Sequence, residues 1–468
     1  MKRKSIYFYI AVLTIFLGIC SPLLFAHGMF MDGTIYAVIA KNMALGKGSF
    51  WSPHFSETLF PIFYEHPPLA IWIESLFFRL FGNEVLIERF YSILCILIVG
   101  FLIVKIWKEV TNEIVTAWFP LLLFVCFPSI TWAATNNMLE NTMSVFICLS
   151  VWLYLVGIRK KNYYFTLFAG LTLCLGVLCK GVVAFFPWTF PFWFWIFSKK
   201  ITFKQVTIDT FSLIMCTLLP LILCYILSQE AKHFLDTYLY KQLFSSVTGL
   251  REVAESRFLV LKELWKNIIL CLVLIVGILT TIIIKKKTKL LKGQLHNGLL
   301  FLSLSLCGIL PILISLKQRG FYILPAYPFL VIALALPFQP YIQQLMGKIN
   351  LSAKGFRAFK ITVCILLLAV MTFAFSQKGK IGRDSKELQI VFQCGKHIPS
   401  NTVISIDQKT YSRWNLQAYF ARYKAIALDM DKVREYYLHD KNEPFRLQEE
   451  DYQPVIEVEN FVLLKKKF

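Results

Sequence analysis

The stretch from Met31-Asp32-Gly33 to Tyr64-Glu65-His66-Pro67-Pro68-Leu69 places Asp32, His54, Glu65 and His66 in one segment between two apolar runs. Ionisable groups beside hydrocarbon are costly to keep, so they are functional candidates by default. Asp32 reads as a general base that takes a proton from an acceptor hydroxyl or amine. It reads equally as an N-cap for the segment Gly33 to Leu45. Glu65 and His66 precede two prolines that fix the backbone and start the next helix. Side chains at such a rigid corner are well held for catalysis; the alternative is an acidic group near the positive end of a helix. His54, Glu65 and His66 also offer nitrogen and oxygen donors to a divalent ion, although their spacing matches no ligand motif.

Three further sites carry charge next to apolar runs. Glu140, in Asn136-Asn137-Met138-Leu139-Glu140-Asn141, opens a helix and either assists Asp32 or serves the helix start. Lys180 stands between two apolar runs with no neighbouring charge, so it must snorkel or pair with an anion. Lys317, Arg319 and Tyr322, in Ser315-Leu-Lys317-Gln-Arg319-Gly-Phe-Tyr322, bring two cations and a phenol to one short segment. Cations of this kind suit a lipid phosphate or pyrophosphate, or a headgroup anchor.

These residues must be positioned by a membrane protein. The chain has 468 residues, of which 57% are hydrophobic and 16% charged, against roughly 25% charged in a soluble domain. Mean hydropathy is +0.60. The net charge of +21 would suit nucleic acid. The Lys and Arg residues, however, sit in short clusters between apolar runs, as in Lys285-Lys286-Lys287, and read as anchors near anionic lipid. The twelve cysteines are scattered, mostly within apolar runs, and read as small core residues. The run Ile6–Phe25 reads as an uncleaved first helix.

About 11 spans are expected. They are Ile6–Phe25, Val85–Trp107, Ile114–Ile130, Thr142–Ile158, Phe165–Cys179, Val182–Phe197, Ile208–Leu227, Asn267–Ile284, Gly298–Leu316, Phe321–Pro337 and Phe359–Phe375. The N-terminus is expected in the cytoplasm. The inner loops would then hold Lys105 and Lys108, Arg159 to Lys161, Lys199, Lys200 and Lys204, Lys285 to Lys292, and Lys348, Lys354 and Arg357. All are basic, as the positive-inside rule requires. The outer loops would be His27–Glu84, Thr131–Asn141, the turn at Lys180, Ser228–Lys266, Lys317–Gly320 and everything after Ser376. In the first of these, Gly33 to Leu45 reads as an amphipathic helix with Tyr36, Ile39, Ala40 and Met43 on one face. Leu69 to Phe81 reads as another, and both are expected to lie in the membrane interface. After Ser376 the composition changes: the last 92 residues hold 16 Lys and Arg and 13 Asp and Glu. Thr402–Asp407 reads as a strand, Trp414–Tyr423 as a helix and Val455–Leu464 as a strand. The expected organisation is a transmembrane domain over 1–376 and a small extracytoplasmic α/β domain over 377–468.

At this point the chain resembles the GT-C superfamily of polytopic glycosyltransferases, in its protein O-mannosyltransferase and aminoarabinose-transferase branch (family 39-like). The resemblance rests on Asp32 with Tyr36-Ala37, and on Tyr64-Glu65-x-Pro67-Pro68 ahead of a helix ending Leu80-Phe81-Gly82. It rests also on Arg89 at the start of the next helix, on Leu178-Cys179-Lys180-Gly181, and on Lys317 to Pro328 with Tyr322-Ile323-Leu324-Pro325. The chain departs from the pattern at Gly33 and Ile35, where many relatives carry an acidic residue and an Arg, and at His66, where the aminoarabinose branch often has Lys.

The resemblance implies inverting transfer of a sugar from a polyprenyl-phosphate carrier to a lipid, glycan or protein acceptor. The reaction would take place at the outer face of the cytoplasmic membrane. It implies catalytic roles for Asp32, Glu65 and Glu140, and substrate contacts by Tyr36, Tyr64, His66, Arg89, Lys180, Lys317, Arg319 and Tyr322. No organic cofactor is implied; a divalent metal ion is the one candidate. Partners would be the lipid-linked donor, the acceptor and membrane lipid, and not nucleic acid. The rival reading is a transporter or flippase of an anionic lipid or solute, which would place charges at mid-membrane on broken helices.

Overall fold

A computed structural model describes residues 2–245, 256–445 and 451–467. The part of the expected outer segment Ser228–Lys266 that falls on 246–255 lies outside the described residues. The first eight helices are α1 (Lys2–Leu24), α2 (Met31–Ala44), α3 (Leu69–Phe81), α4 (Ile87–Thr111), α5 (Trp118–Val125), α6 (Pro128–Thr135), α7 (Leu139–Lys160) and α8 (Tyr164–Lys180). The chain divides into two compact units. One comprises Met1–Ser21, Glu65–Ala70 and Ser92–Ser376; the other comprises Pro22–Tyr64, Ile71–Tyr91 and Gln377–Phe468.

Among the described residues, eight helices are long and apolar enough to cross a membrane. They are Arg3–Leu24, Ile87–Thr111, Leu139–Lys160, Phe203–Leu227, Leu259–Ile284, Thr288–Ile314, Gly320–Lys348 and Lys354–Ser376. The expected span Ile114–Ile130 is instead α5 and α6, bent by 75°. Pro128 opens α6, and the residue before it, Phe127, leaves the helical region at φ −81° and ψ 112°. Counting that pair as one span gives nine. The two remaining candidates, Tyr164–Lys180 and Val182–Ser198, are apolar but shorter than a full crossing. The eleven expected crossings are therefore not all full spans.

Close packing in this unit uses small residues. A Cβ at Gly170 of α8 would come 2.6 Å from the Cβ of Cys216. The Thr217 hydroxyl donates to the Gly170 carbonyl at 3.1 Å. Such small-residue contacts let helix backbones approach where no hydrophobic effect drives them together. All twelve cysteines are free thiols, as their scatter through apolar runs suggests.

The second unit contains a five-stranded sheet. Its strands are β1 (Val403–Ile406), β2 (Ala427–Asp429), β3 (Tyr436–Asp440), β4 (Tyr452–Val458) and β5 (Phe461–Lys466), in the order β2-β1-β3-β5-β4. β1 is parallel to β2 and β3, while β5 is antiparallel to β3 and β4. Leu388, Val391, Ile404, Leu416, Phe420, Leu438 and Leu463 form its core. The segment Val455–Leu464, expected as one strand, is a hairpin: Glu459, at φ +53°, turns the chain between β4 and β5. Pro454 is tolerated because β4 is an edge strand and bulges there.

The segment His27–Glu84, expected as the first outer loop, belongs to this same unit except for Glu65–Ala70, and α2 departs from expectation. It starts at Met31, and ten of its 14 residues, Gly33 to Lys41 and Met43, are buried. It is an interior helix rather than an amphipathic surface one. Residues far along the chain cover it: the Lys41 ammonium, for example, donates to the Arg422 carbonyl at 3.5 Å. α3 keeps the two-sided character expected of it, with Ile71, Glu74, Ser75 and Phe78 buried and Trp72, Leu80 and Phe81 exposed.

Candidate active site

In the membrane-spanning unit Lys180 pairs with Glu140 and lies over two aromatic rings. Lys180 is the last residue of α8, and Gly181 follows at φ +89°. Only glycine takes that conformation freely. A Cβ there would also collide with the Tyr238 hydroxyl, which itself donates to the Lys180 carbonyl at 3.4 Å. The turn therefore fixes where the Lys180 side chain leaves the backbone. Glu140 lies in the first turn of α7, after a break at Asn136 and Asn137, the latter at φ +50°. The Asn141 amide holds that break by donating to Ser92 Oγ and to the Ala133 carbonyl, each at 2.9 Å.

The two groups form an ion pair, with Lys180 Nζ 2.6 Å from Glu140 Oε1, and their side chains are 6% and 0% exposed. Of the two expectations for this lysine, snorkelling or pairing with an anion, the second holds: its anion lies 40 residues earlier in the chain. The Lys180 ammonium also lies over two aromatic rings, 5.2 Å from Phe321 and 5.5 Å from Tyr322. Trp132 stacks on Phe321 at 5.8 Å, which orients that ring.

The segment holding Lys317, Arg319 and Tyr322 is shaped by a residue that the sequence reading passed over. Gln318 is buried; its amide donates to the carbonyls of Arg257 and Ser315, and its oxygen accepts from Val260 N. Lys317 on one side of it is half-buried and Arg319 on the other is exposed. Gly320 is pressed against Glu263, whose Cγ would lie 2.6 Å from an added Cβ. A glutamine flanked by two cations gives no periodic or motif signal, so nothing in the sequence marks it.

Glu65 and His66 are half-buried ahead of buried Pro67 and Pro68, and the helix begins just after them at Leu69. Glu65 accepts a hydrogen bond of 3.4 Å from the Gln242 amide. Gln242 is a second residue without a sequence signal; it lies in a widened helical turn, Leu239–Phe244, of a kind often found at functional sites.

In the other unit, Asp32 is half-buried in the first turn of α2. The cap position belongs to Phe30, which makes no side-chain cap, so Asp32 is not the N-cap. A carboxylate one residue inside a helix start is stabilised by the helix dipole. Tyr36 is buried and meets Phe63 edge-on at 6.3 Å; Tyr64 is half-buried. Arg89 is buried, and its guanidinium donates to the backbone carbonyls of Ala26 and Gly28.

His54 is bound to the Pro61 carbonyl through Nδ1 at 3.0 Å, with Nε2 3.8 Å from Glu57. Among the described residues no three His, Cys, Asp or Glu side chains come together as a metal-binding group. His54, Glu65 and His66 therefore do not fit a metal ion. The physical reason is that His54 serves its own loop while Glu65 is engaged with Gln242.

Comparisons with known proteins bear on the fold and on the stretch from Glu65 to Phe234. The family model described as dolichyl-phosphate-mannose-protein mannosyltransferase matches residues 65–234. An uncharacterised protein of Aquifex aeolicus (strain VF5) is 32% identical over 157 residues, which is 32% of this chain and 30% of that one. An undecaprenyl phosphate-alpha-4-amino-4-deoxy-L-arabinose arabinosyl transferase of Wigglesworthia glossinidia brevipalpis is 26% identical over 188 residues, 38% of this chain and 32% of that one. The matched stretch thus spans about a third of each curated relative. The crystal structure of ArnT from Cupriavidus metallidurans bound to undecaprenyl phosphate is similar over 98% of this chain and 97% of that one, with a TM-score of 0.67 and 14% identity. Its apo form gives a TM-score of 0.63 at 13% identity with the same coverage. The fold is thus similar to that of ArnT over nearly the whole chain, and residues 65–234 match the mannosyltransferase family model.

Proposed function

We propose that this multi-pass membrane protein transfers a sugar from a polyprenyl-phosphate carrier to a lipid, glycan or protein acceptor, with inversion at the anomeric carbon. The observation that carries the reading is the buried Lys180–Glu140 pair inside the segment matched by the family model. A cation held at fixed distance by a carboxylate, and backed by two rings, needs little reorganisation when a phosphate leaving group gains charge. The solved relative bound to undecaprenyl phosphate supports a carrier of the same class.

In this mechanism Asp32 takes the proton of the acceptor nucleophile as that atom bonds to the anomeric carbon from the face opposite the phosphate. The bond from the anomeric carbon to the phosphate oxygen breaks, and its electron pair stays on the carrier phosphate. Lys180, Lys317 and Arg319 stabilise that charge, with Arg319 suited to paired hydrogen bonds on phosphate oxygens. Glu140 fixes Lys180, and Glu65 and His66 bind the sugar or acceptor beside the proline corner. Tyr36, Tyr64 and Tyr322 each contact substrate in this reading. Orientation follows the basic loops: Lys105, Arg159 to Lys161, Lys199, Lys285 to Lys292 and Arg357 face the cytoplasm, and residues 377–468 form an extracytoplasmic domain of the inner membrane.

The test is transfer by the purified full chain from a panel of labelled polyprenyl-phosphate sugars to extracted envelope acceptors. The product's anomeric configuration is then read by NMR. An inverted product supports the reading. A retained configuration, or no transfer from any donor, would refute it.

A further inference from the structure

The three residues that lead into α2 are held by the C-terminal part of the chain, one polar group at a time. His27 N donates to the Lys380 carbonyl at 2.7 Å, and the His27 carbonyl accepts from Gly382 N at 2.9 Å. Gly28 N donates to the Tyr423 hydroxyl at 3.2 Å, and the Gly28 carbonyl accepts from Arg89. Met29 N donates to the Tyr419 hydroxyl at 3.1 Å. The same hydroxyl lies 2.7 Å from the Met29 carbonyl and 2.6 Å from Asp384 Oδ2, so its proton has two acceptors to choose from. Every backbone N–H and C=O from His27 to Met29 therefore has a partner outside the segment. Gly28, at φ +89°, sits so close to the Arg383 carbonyl that no Cβ fits. Just before the helix, the Arg383 guanidinium covers the Phe30 ring at 5.6 Å.

This degree of fixation is more than a loop needs. α2 has no side-chain cap at Phe30, so its start is not set from within. It is set by the clamp, and Asp32 follows three residues after Met29. We infer that Tyr419 and Tyr423 of the C-terminal domain, with Arg89, are positioning residues that aim Asp32 by fixing the backbone of residues 27–29. The inference rests on the proposed role of Asp32 as base. Burial, and then the hydrogen bond to Asp384, keep the Tyr419 phenol well above its ordinary titration range; burial also raises that of Tyr423. Both hydroxyls stay neutral across the working range of pH. The C-terminal domain is then a working part of the enzyme.

The test uses the full-length protein with Tyr419→Phe and Tyr423→Phe, each in the wild-type and Asp32→Asn backgrounds. Tyr411→Phe is the control, because its hydroxyl donates to the Thr58 carbonyl at 3.0 Å, away from the clamp. Loss of aim by an ångström can cost about 100-fold. The two clamp variants should lose about 10-fold to 100-fold in kcat with donor KM and thermal midpoint close to wild type. Tyr411→Phe should match wild type. In the Asp32→Asn background, Tyr419→Phe should add no further loss, since a misplaced base that is absent cannot matter. Equal losses in both backgrounds would overturn the inference, as would full activity of both clamp variants. Full activity of Asp32→Asn itself would instead remove the base on which the inference rests, and is read separately from the tyrosine variants.

Discussion

Replacing Lys180 by Met removes the cation 2.6 Å from a carboxylate that is 0% exposed. At an effective dielectric of about 20, two unit charges at that distance attract by about 6 kcal/mol. Desolvation of both groups offsets part of this, so the pair itself adds little net stability. Breaking it from one side is different, because Glu140 then stays buried without that cation. The expected loss of stability is about 3–5 kcal/mol, read as a drop in the thermal midpoint of the purified protein in detergent. Lys180→Met with Glu140→Met removes both charges and should recover most of that loss. Transfer activity should behave otherwise. Both variants should lose about 10²–10³-fold in kcat, the usual effect of deleting a group that stabilises developing charge. Stability that returns without activity separates the structural role of the pair from its chemical one. Lys180→Met with wild-type stability, or a double variant with wild-type activity, would refute the reasoning.

Three other perturbations follow from particular contacts. Gly181→Ala places a Cβ at φ +89° against the Tyr238 hydroxyl; adding Tyr238→Phe should relieve the collision but not the backbone strain, so thermal stability should recover only in part. Arg422 is 2% exposed and pairs with Glu88, 4% exposed, at 3.0 Å. Arg422→Met should therefore cost about 3–5 kcal/mol, whereas Lys441→Met, in a pair with Glu457 whose side chains are 44% and 62% exposed, should cost much less in the same melting assay. Lys41 is pushed down from 10.5 to about 8 by burial, then by the Arg422 and Lys47 cations. Between those values the unfolded chain binds the extra proton, so stability should rise with pH across that window. Lys41→Met should flatten the rise, and an unchanged slope in denaturation against pH would contradict the assignment.

Much of the fold was legible because hydropathy is a one-dimensional signal. Leu259–Ile284 and Lys354–Ser376 are apolar over more than a membrane's thickness, and basic clusters such as Lys285 to Lys287 mark their ends. The bend at Phe127-Pro128 carried its own signal, since a residue before proline avoids the helical region. The burial of α2 did not, because its cover comes from residues near 422, far away in sequence. Nor did the hairpin within Val455–Leu464, where the turn falls on Glu459 and Asn460 without a glycine. Among the candidate site residues, Lys180 announced itself as a lone charge between apolar runs, which had either to snorkel or to pair with an anion. That Glu140 would be the anion was not readable, since the pairing joins the start of α7 to the end of α8. His54 looked like a metal donor from residue type alone; its ring is instead committed to the Pro61 carbonyl. Gln318 and Gln242 work through neutral amides, which leave no pattern in a sequence.

The central claim is that Asp32 is the general base of a sugar transfer from a polyprenyl phosphate. The most direct measurement is single-turnover transfer from a labelled donor by the wild type and by Asp32→Asn, which keeps the side chain's size and hydrogen bonding but not its basicity. The account predicts a rate lower by about 10²–10⁴-fold in the variant, with donor binding unchanged. An equal rate in the two proteins would contradict it.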